Sequence, residues 1–441
     1  MSRLRLRLRA TAAAAALLLV GPALLLRVLP RPEAQGLERL LPQVALLQSL
    51  PAAPSRPVPQ LWRQRLGAPL ADRLWRQQRR TWWQGWGRHG EGGAYLVVPL
   101  PQGDRPAAQR LAPHSFLLND LLVVAPDPLA RRALQDQLRN VQRPLRGLER
   151  RCLLLLQERQ AVFWKPAGLG GLSGALAPLL LRYQEGCLAL ELLNGELAFQ
   201  GEAAAVAAPS GEPPEATLPL PPPLSPSLLL EVRGPSLAPL LQGFLDRNVV
   251  REALASGYGI GPAQLRLLRQ LPFRLRLRPL AAGPFRAGLE LQFGAGAQSR
   301  ELARLLSGLR PRLQQQGLDD APPQWGSGPR RPELPPPSTW RRDDGTVVGG
   351  WYWLGSAERP AELVVFLGPL PAAPAPEPLQ PSSLQLSMRP AAMAASGLLP
   401  IELPAVVQRA TQLRLAAAAR SGGPLSRLQG RLQLGPLPAT R

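Results

Sequence analysis

Four residues return in this chain at one spacing: Ser227, Leu228, Leu230 and Arg233 recur as Ser383, Leu384, Leu386 and Arg389. The elements after each quartet recur as well. A helical stretch comes next, Leu237 to Leu254 in the first copy and roughly Ala391 to Ala410 in the second, where Pro400 and Pro404 interrupt it. Then come Leu275-Arg276-Leu277 and Leu413-Arg414-Leu415, alternating strands that put arginine on the wet face. Gly283-Pro284 and Gly423-Pro424 make turns. Leu291-Gln292-Phe293-Gly294 and Leu432-Gln433-Leu434-Gly435 close the two copies as strands. Each copy therefore reads strand, helix, strand, strand. Residues Ala161 to Gly201 have the same order without the shared residues: a strand at Ala161–Lys165, a helix at Ser173–Tyr183, and a hairpin from Cys187 to Gly201. That hairpin turns on Asn194-Gly195, the strongest short hairpin signal. Such a unit cannot bury both faces of its hairpin alone, so the copies are expected to pack through their sheets or helices. The expected class is α+β, with repeated strand-helix-strand-strand units in mixed, mainly antiparallel sheets.

Proline clusters at Leu50–Pro59, Pro209–Pro226, Pro322–Pro337 and Pro369–Pro381 lack apolar periodicity and read as extended linkers or surface loops. Between them, Tyr95–Pro99 and Phe116–Val124 read as strands. Asp127 followed by Pro128 starts a helix that runs to about Asn140. Thr346–Leu354 with Leu363–Leu367 forms a further hairpin, and Ser299 caps a helix to Arg310. The resulting divisions are a membrane anchor or signal at 1–30, a Pro/Trp/Arg-rich membrane-proximal segment at 31–90 and a first α+β domain at 91–207. A Pro-rich linker at 208–226, a second α+β unit at 227–320, a Pro-rich loop at 321–338, and a hairpin plus repeated unit at 339–441 complete the chain.

Arg3, Arg5, Arg7 and Arg9 precede an uncharged apolar run from Ala10 to Leu26, ended by Arg27. A basic segment before such a run marks export or membrane anchoring. Its length of about 17 residues lies between the roughly 7–15 of a signal core and the roughly 20 of a spanning helix. Val28 and Leu29 extend it if Arg27 snorkels, and Ala34 is a poor cleavage position behind Pro32. The expectation is one N-terminal transmembrane helix that stays attached, with a cleaved signal and a buried soluble helix as alternatives. The arginine excess before the run puts the N-terminus inside the cytoplasm and the body outside it.

Ten tryptophans and 45% hydrophobic residues let the 441-residue chain build real cores. The net charge of +22 raises nucleic acid as a partner. Against it, Lys165 is the chain's only lysine and Arg, Ala, Gly, Pro and Leu are inflated together, as a GC-rich genome produces by codon bias. Nucleic acid is therefore disfavoured, while anionic lipid headgroups or acidic envelope polymers remain candidate contacts. Cys152 and Cys187 are the chain's two cysteines. In an exported body they can form one disulfide; two buried thiols are the alternative.

Chemistry-bearing patterns are sparse. Trp62, Trp75, Trp82, Trp83 and Trp86 alternate with arginines that include Arg79 and Arg80. Rings beside guanidinium groups offer an interaction surface for a ligand or membrane boundary. The helical spacing of Trp62, Leu66, Leu70 and Leu74 reads equally as a core-facing stripe. Gly171-Leu172-Ser173-Gly174 lacks the final glycine of a nucleophile elbow, since Ala175 stands there. His89 and His114 are the only two histidines available as a base. Gly257-Tyr258-Gly259-Ile260-Gly261 follows a helix and reads as its C-terminal turn. Lys165 has no phosphate-cradling glycines before it. Asp319-Asp320 and Asp343-Asp344 are adjacent acids, the second pair being turn chemistry before Gly345. No catalytic, cofactor-binding or metal site is expected.

The anchor, proline linkers and repeats over roughly 90–435, with the Ser-Leu-x-Leu-x-x-Arg starts at Ser227 and Ser383, resemble a class of uncharacterised membrane-anchored cyanobacterial proteins carrying a domain of unknown function. The resemblance implies location and fold and brings no activity. The leading expectation is a non-catalytic, single-pass envelope protein whose body binds another protein or an anionic polymer. An envelope enzyme is second, and a cytoplasmic nucleic-acid binder third.

Overall fold

The computed structural model describes residues 34–89, 92–100, 112–139, 144–168, 183–205, 218–238, 248–281, 283–322, 334–354, 361–371, 379, 383–399, 405–419 and 425–435. The expected anchor, the helix before Tyr183, the nucleophile-elbow-like stretch and the Gly423-Pro424 turn lie outside them. Among the described residues no helix is long and apolar enough to cross a membrane.

Helical turns over Leu37–Leu40 and Leu41–Gln43 lead into β1 (Val44–Leu50), and α1 (Gln60–Leu66) and α2 (Ala68–Gln77) come after it. Next are β2 (Trp82–Gly87), β3 (Tyr95–Pro99), β4 (Ser115–Leu118) and β5 (Leu121–Val124). Helices α3 (Pro128–Arg139) and α4 (Gly147–Glu158) precede β6 (Ala161–Trp164), β7 (Tyr183–Leu193), β8 (Glu196–Ala205) and β9 (Leu230–Gly234). Then come α5 (Asn248–Tyr258), α6 (Pro262–Gln270), β10 (Phe273–Pro279), β11 (Ala287–Gly294) and α7 (Ser299–Gln315). Strands β12 (Asp319–Ala321), β13 (Ser338–Arg341), β14 (Val347–Leu354), β15 (Glu362–Leu367) and β16 (Leu384–Met388) succeed α7. The last elements are α8 (Pro390–Ala395), α9 (Ala405–Gln408), β17 (Ala410–Ala419) and β18 (Leu425–Leu434).

Local chemistry explains several of these. Asn194 and Gly195 both hold positive φ, 51° and 77°, as the tight turn between β7 and β8 requires. The Asp127 carboxylate accepts from the Ala130 amide at 2.8 Å, capping α3. Ser299 is the first residue of α7 and not its cap, the cap position being Gln298. The expected strand Phe116–Val124 is instead the β4–β5 hairpin, turned at Asn119, whose φ is 56°.

The 18 strands form one sheet. Its pairings run β4-β5-β3-β2-β1-β6-β7-β8-β18-β17-β16-β9-β10-β11-β15-β14-β13-β12. Every pairing among the described strands is antiparallel, so the expected mixture with parallel pairs is absent there. The last unit of the chain, β16 to β18, sits between β8 and β9.

The strands that carry and follow the two quartets pair in matching register. Leu230, Glu231 and Val232 face Leu277, Arg276 and Leu275, and the equivalent Leu386, Ser387 and Met388 face Leu415, Arg414 and Leu413. The two first strands also pair with each other: Val232 opposes Leu386 and Leu230 opposes Met388, with Glu231 and its equivalent Ser387 face to face. Swapping the copies maps this ladder onto itself, so a local two-fold passes between Glu231 and Ser387. Residues 44–99 hold the same arrangement. There β1 pairs with β2 and β2 with β3, with α1 and α2 inserted after the first strand. The shared residues are missing from this copy, and only its topology reveals it.

Alternation along β2 shows how the sheet is covered. Trp82 packs with α1 and α2 on one face, and neighbouring Trp83 packs with α3 and α4 on the other. Near β9 to β15, α7 and, through Leu267 and Leu268, α6 cover the face carrying Phe273, Phe293, Trp351 and Leu363. Residues 218–226 are extended, as their prolines dictate, and lie against β16 and β17. Ser387 Oγ donates to the Pro222 carbonyl at 3.3 Å, Arg389 donates to that of Pro226 at 2.7 Å, and Leu218 is buried beside Ala416 and Ala418.

Candidate functional site

The tryptophan-arginine segment divides between core and surface. Trp62, Trp75 and Trp82 stack nearly edge-to-face, with centroids 5.0, 5.6 and 6.1 Å apart, and all three are buried. Trp75 Nε1 donates to the Arg56 carbonyl at 2.9 Å. Trp83 is buried on the opposite face and donates to the Leu156 carbonyl at 2.9 Å. The expected interaction surface is therefore corrected for these four rings. Burying indoles against two helix layers removes more apolar area from water than a surface stripe would. Trp86 is half-buried beside Trp164 and Val162. Arg79 and Arg80 are exposed; Arg80 lies 3.7 Å from Asp120 and Arg79 donates to the carbonyls of Arg76 and Gln78.

Cys152 of α4 and Cys187 of β7 are joined in a disulfide, with Cα atoms 5.6 Å apart. Charge closes around it. Arg151 meets Glu202 at 2.8 Å, and Lys165 lies 3.3 Å from Glu149 and 4.0 Å from Glu185 while donating to the Pro42 carbonyl. Burial pushes the Glu185 carboxyl above its ordinary range, Lys165 pulling against this and Glu149 adding to it. The solitary lysine is thus a tie between β6, α4 and β7.

A second charged row runs across β9, β10 and β11. Arg276 meets Glu231 at 2.9 Å and Glu290 at 3.6 Å, and Arg278 reaches Glu290 at 3.3 Å. The sequence places Arg276 on a wet face. Its side chain is instead 15% exposed and that of Glu290 only 3%, so the row is largely dry. Burial raises the Tyr352 hydroxyl well above its usual range, Glu290 adding to the effect and the two arginines opposing it. Asp320 of the first acid pair meets Arg310 at 2.5 Å, and Asp344 of the second accepts from the Thr346 amide at 2.8 Å. Among the described residues no group of three or more His, Cys, Asp or Glu side chains could hold a metal.

An open feature with a ligand-like shape lies between α5 and α6. In the 44–99 copy the corresponding helices are closed over by the three stacked tryptophans. In the second unit they splay apart, and α5 buries none of its residues. The space between them is about 500 Å³. That falls within the roughly 300–1,000 Å³ common for small-ligand sites. Ala255, Ile260, Pro262 and Leu265 form an apolar floor, and Arg251, Arg266 and Arg269 stand around it with Glu252 as the one acid among the described residues. Arg269 Nε is buried and meets no acceptor among the described residues. Gly261 starts α6, its amide donating to Gln264 Oε1 at 3.1 Å, and Ser236 donates to the Arg269 carbonyl at 2.7 Å. Arg312 and Gln316 of α7 hold the end of α5 by its Ser256 and Gly257 carbonyls. The glycine cluster here is a helix end, with Gly259 at φ 70°. The arginines at Arg251, Arg266 and Arg269 carry no sequence signal in an arginine-rich chain; only the splay of the helices groups them.

The chain matches no protein-family model, no curated protein and no solved structure.

Proposed function

We propose that the chain is a single-pass membrane protein whose body lies outside the cytoplasm and serves the cell envelope as a non-catalytic binding scaffold. The Cys152–Cys187 bond carries this reading. It joins the only two cysteines of the chain in a buried position between α4 and β7. Such a bond persists in oxidising compartments and is rare where thiols are kept reduced. The basic residues Arg3 to Arg9 before the apolar run from Ala10 to Leu26 support the same address. The binding role is supported by a sheet that holds its units in fixed register and leaves one helix pair open. An anionic envelope partner suits the net charge of +22.

The test is topology. A periplasm-active phosphatase and, separately, a cytoplasm-only fluorescent protein are fused after Arg441, and membranes are washed with carbonate. Phosphatase activity with carbonate resistance is the expected result. Fluorescence from the second fusion would overturn the location and return nucleic acid as the partner to consider.

A further inference from the structure

We propose that the groove between α5 and α6 binds one anionic lipid, its phosphate held by Arg251, Arg266 and Arg269 and an acyl chain laid along Ala255, Ile260, Pro262 and Leu265. Three arginines against the single Glu252 give the rim a positive field. Arg266 is exposed beside the groove, and Arg251, whose guanidinium donates to the Asn248 side-chain carbonyl, stands one turn before Ala255 on the same face of α5. The apolar floor separates a lipid from a free polyanion. A polymer of phosphates or carboxylates gains nothing from Ile260 and Leu265, whereas an amphiphile uses both floor and rim. Naming a lipid deepens the envelope reading and rests on it for the ligand's source; the groove chemistry itself does not depend on which side of the membrane the body lies.

The test uses the full chain in neutral detergent and native mass spectrometry, with phosphatidylglycerol or phosphatidylcholine of the same acyl chains added. The expected result is one retained phosphatidylglycerol, preferred over phosphatidylcholine by at least about tenfold. Replacing Arg251, Arg266 and Arg269 together by alanine is expected to erase the preference. Ala255→Trp, which fills the groove and removes no charge, is expected to abolish the retained lipid. Because every variant keeps the N-terminal apolar run, lipid held there is common to all of them. Equal retention of the two lipids, or retention unchanged by Ala255→Trp, overturns the proposal. An outward-facing body without lipid preference sinks this inference and leaves the location standing; a cytoplasmic body that retains phosphatidylglycerol does the reverse.

Discussion

Glu290 stands on β11 with two guanidinium groups against one carboxylate, Arg276 on the strand beside it and Arg278 two residues along. Removing the carboxylate leaves Arg276 with Glu231 alone and takes the Glu290 partner from Arg278 in a largely dry row, which costs more than the pairing itself contributes. Glu290→Ala is expected to lower unfolding free energy by about 3 kcal/mol, and Glu290→Gln by less, since the amide keeps an acceptor. Urea denaturation of both variants checks the order. Glu185 predicts the pH behaviour. Its carboxyl is raised by burial, so its contribution is present where both folded and unfolded chains are protonated. That contribution is lost as pH rises through the folded value. Glu185→Gln escapes this loss. The melting temperature of the variant relative to the native chain is therefore expected to climb from acid to neutral pH, and a falling difference would contradict the assignment. Neither residue announces itself in the sequence. Glu290 lies in an alternating strand like any other. Its burial comes from strands distant in the chain, which set Phe366 opposite it and Glu231 opposite its partner Arg276.

Among elements, α4 and β7 depend on each other most visibly. Their disulfide closes a loop with a sequence separation of 35. Replacing both Cys152 and Cys187 by serine is expected to cost about 3 kcal/mol, read as a lower denaturation midpoint that reductant reproduces in the native chain. Elements with strong local chemistry were legible in the sequence: the Asn194-Gly195 hairpin, the Asp127-Pro128 helix start, and the recurring strands at Ser227 and Ser383. The copy at 44–99 was not, because it carries none of the residues that the quartets share and its helices are sealed by Trp62, Trp75 and Trp82. Close glycine-aromatic pairs were equally hidden. Gly186 faces Trp164, Gly350 faces Phe366 and Gly430 faces Phe199 across neighbouring strands, each glycine making room for a ring. Nothing in the sequence tells which distant strand supplies the ring. The groove escaped as well, since the sequence leads to one helical stretch at Leu237–Leu254, whereas two helices, Asn248–Tyr258 and Pro262–Gln270, enclose it.

At the scale of the molecule, chain order and spatial order part company. Consecutive units are neighbours in the sheet through β1–β6 and β11–β15, but the last unit is displaced, so that β16 to β18 join β8 to β9. Ending the chain after Pro371 removes that bridge and bares the edges of β8 and β9. The truncated chain is expected to elute as aggregate on size exclusion; a monodisperse monomer would mean that the two flanking parts of the sheet do not need the bridge. The bridge also ties the disulfide-bearing part to the groove-bearing part, so both share one compartment. The proposed role in the envelope therefore stands or falls with location, and the two cysteines report location directly. Intact cells are quenched in acid, denatured, and treated with a maleimide-polyethylene glycol with or without prior reduction. No mass shift is expected without reductant, and two added groups with it, from Cys152 and Cys187. Two groups added without reductant would mean that the cysteines are kept as thiols, and would contradict a body held outside the cytoplasm.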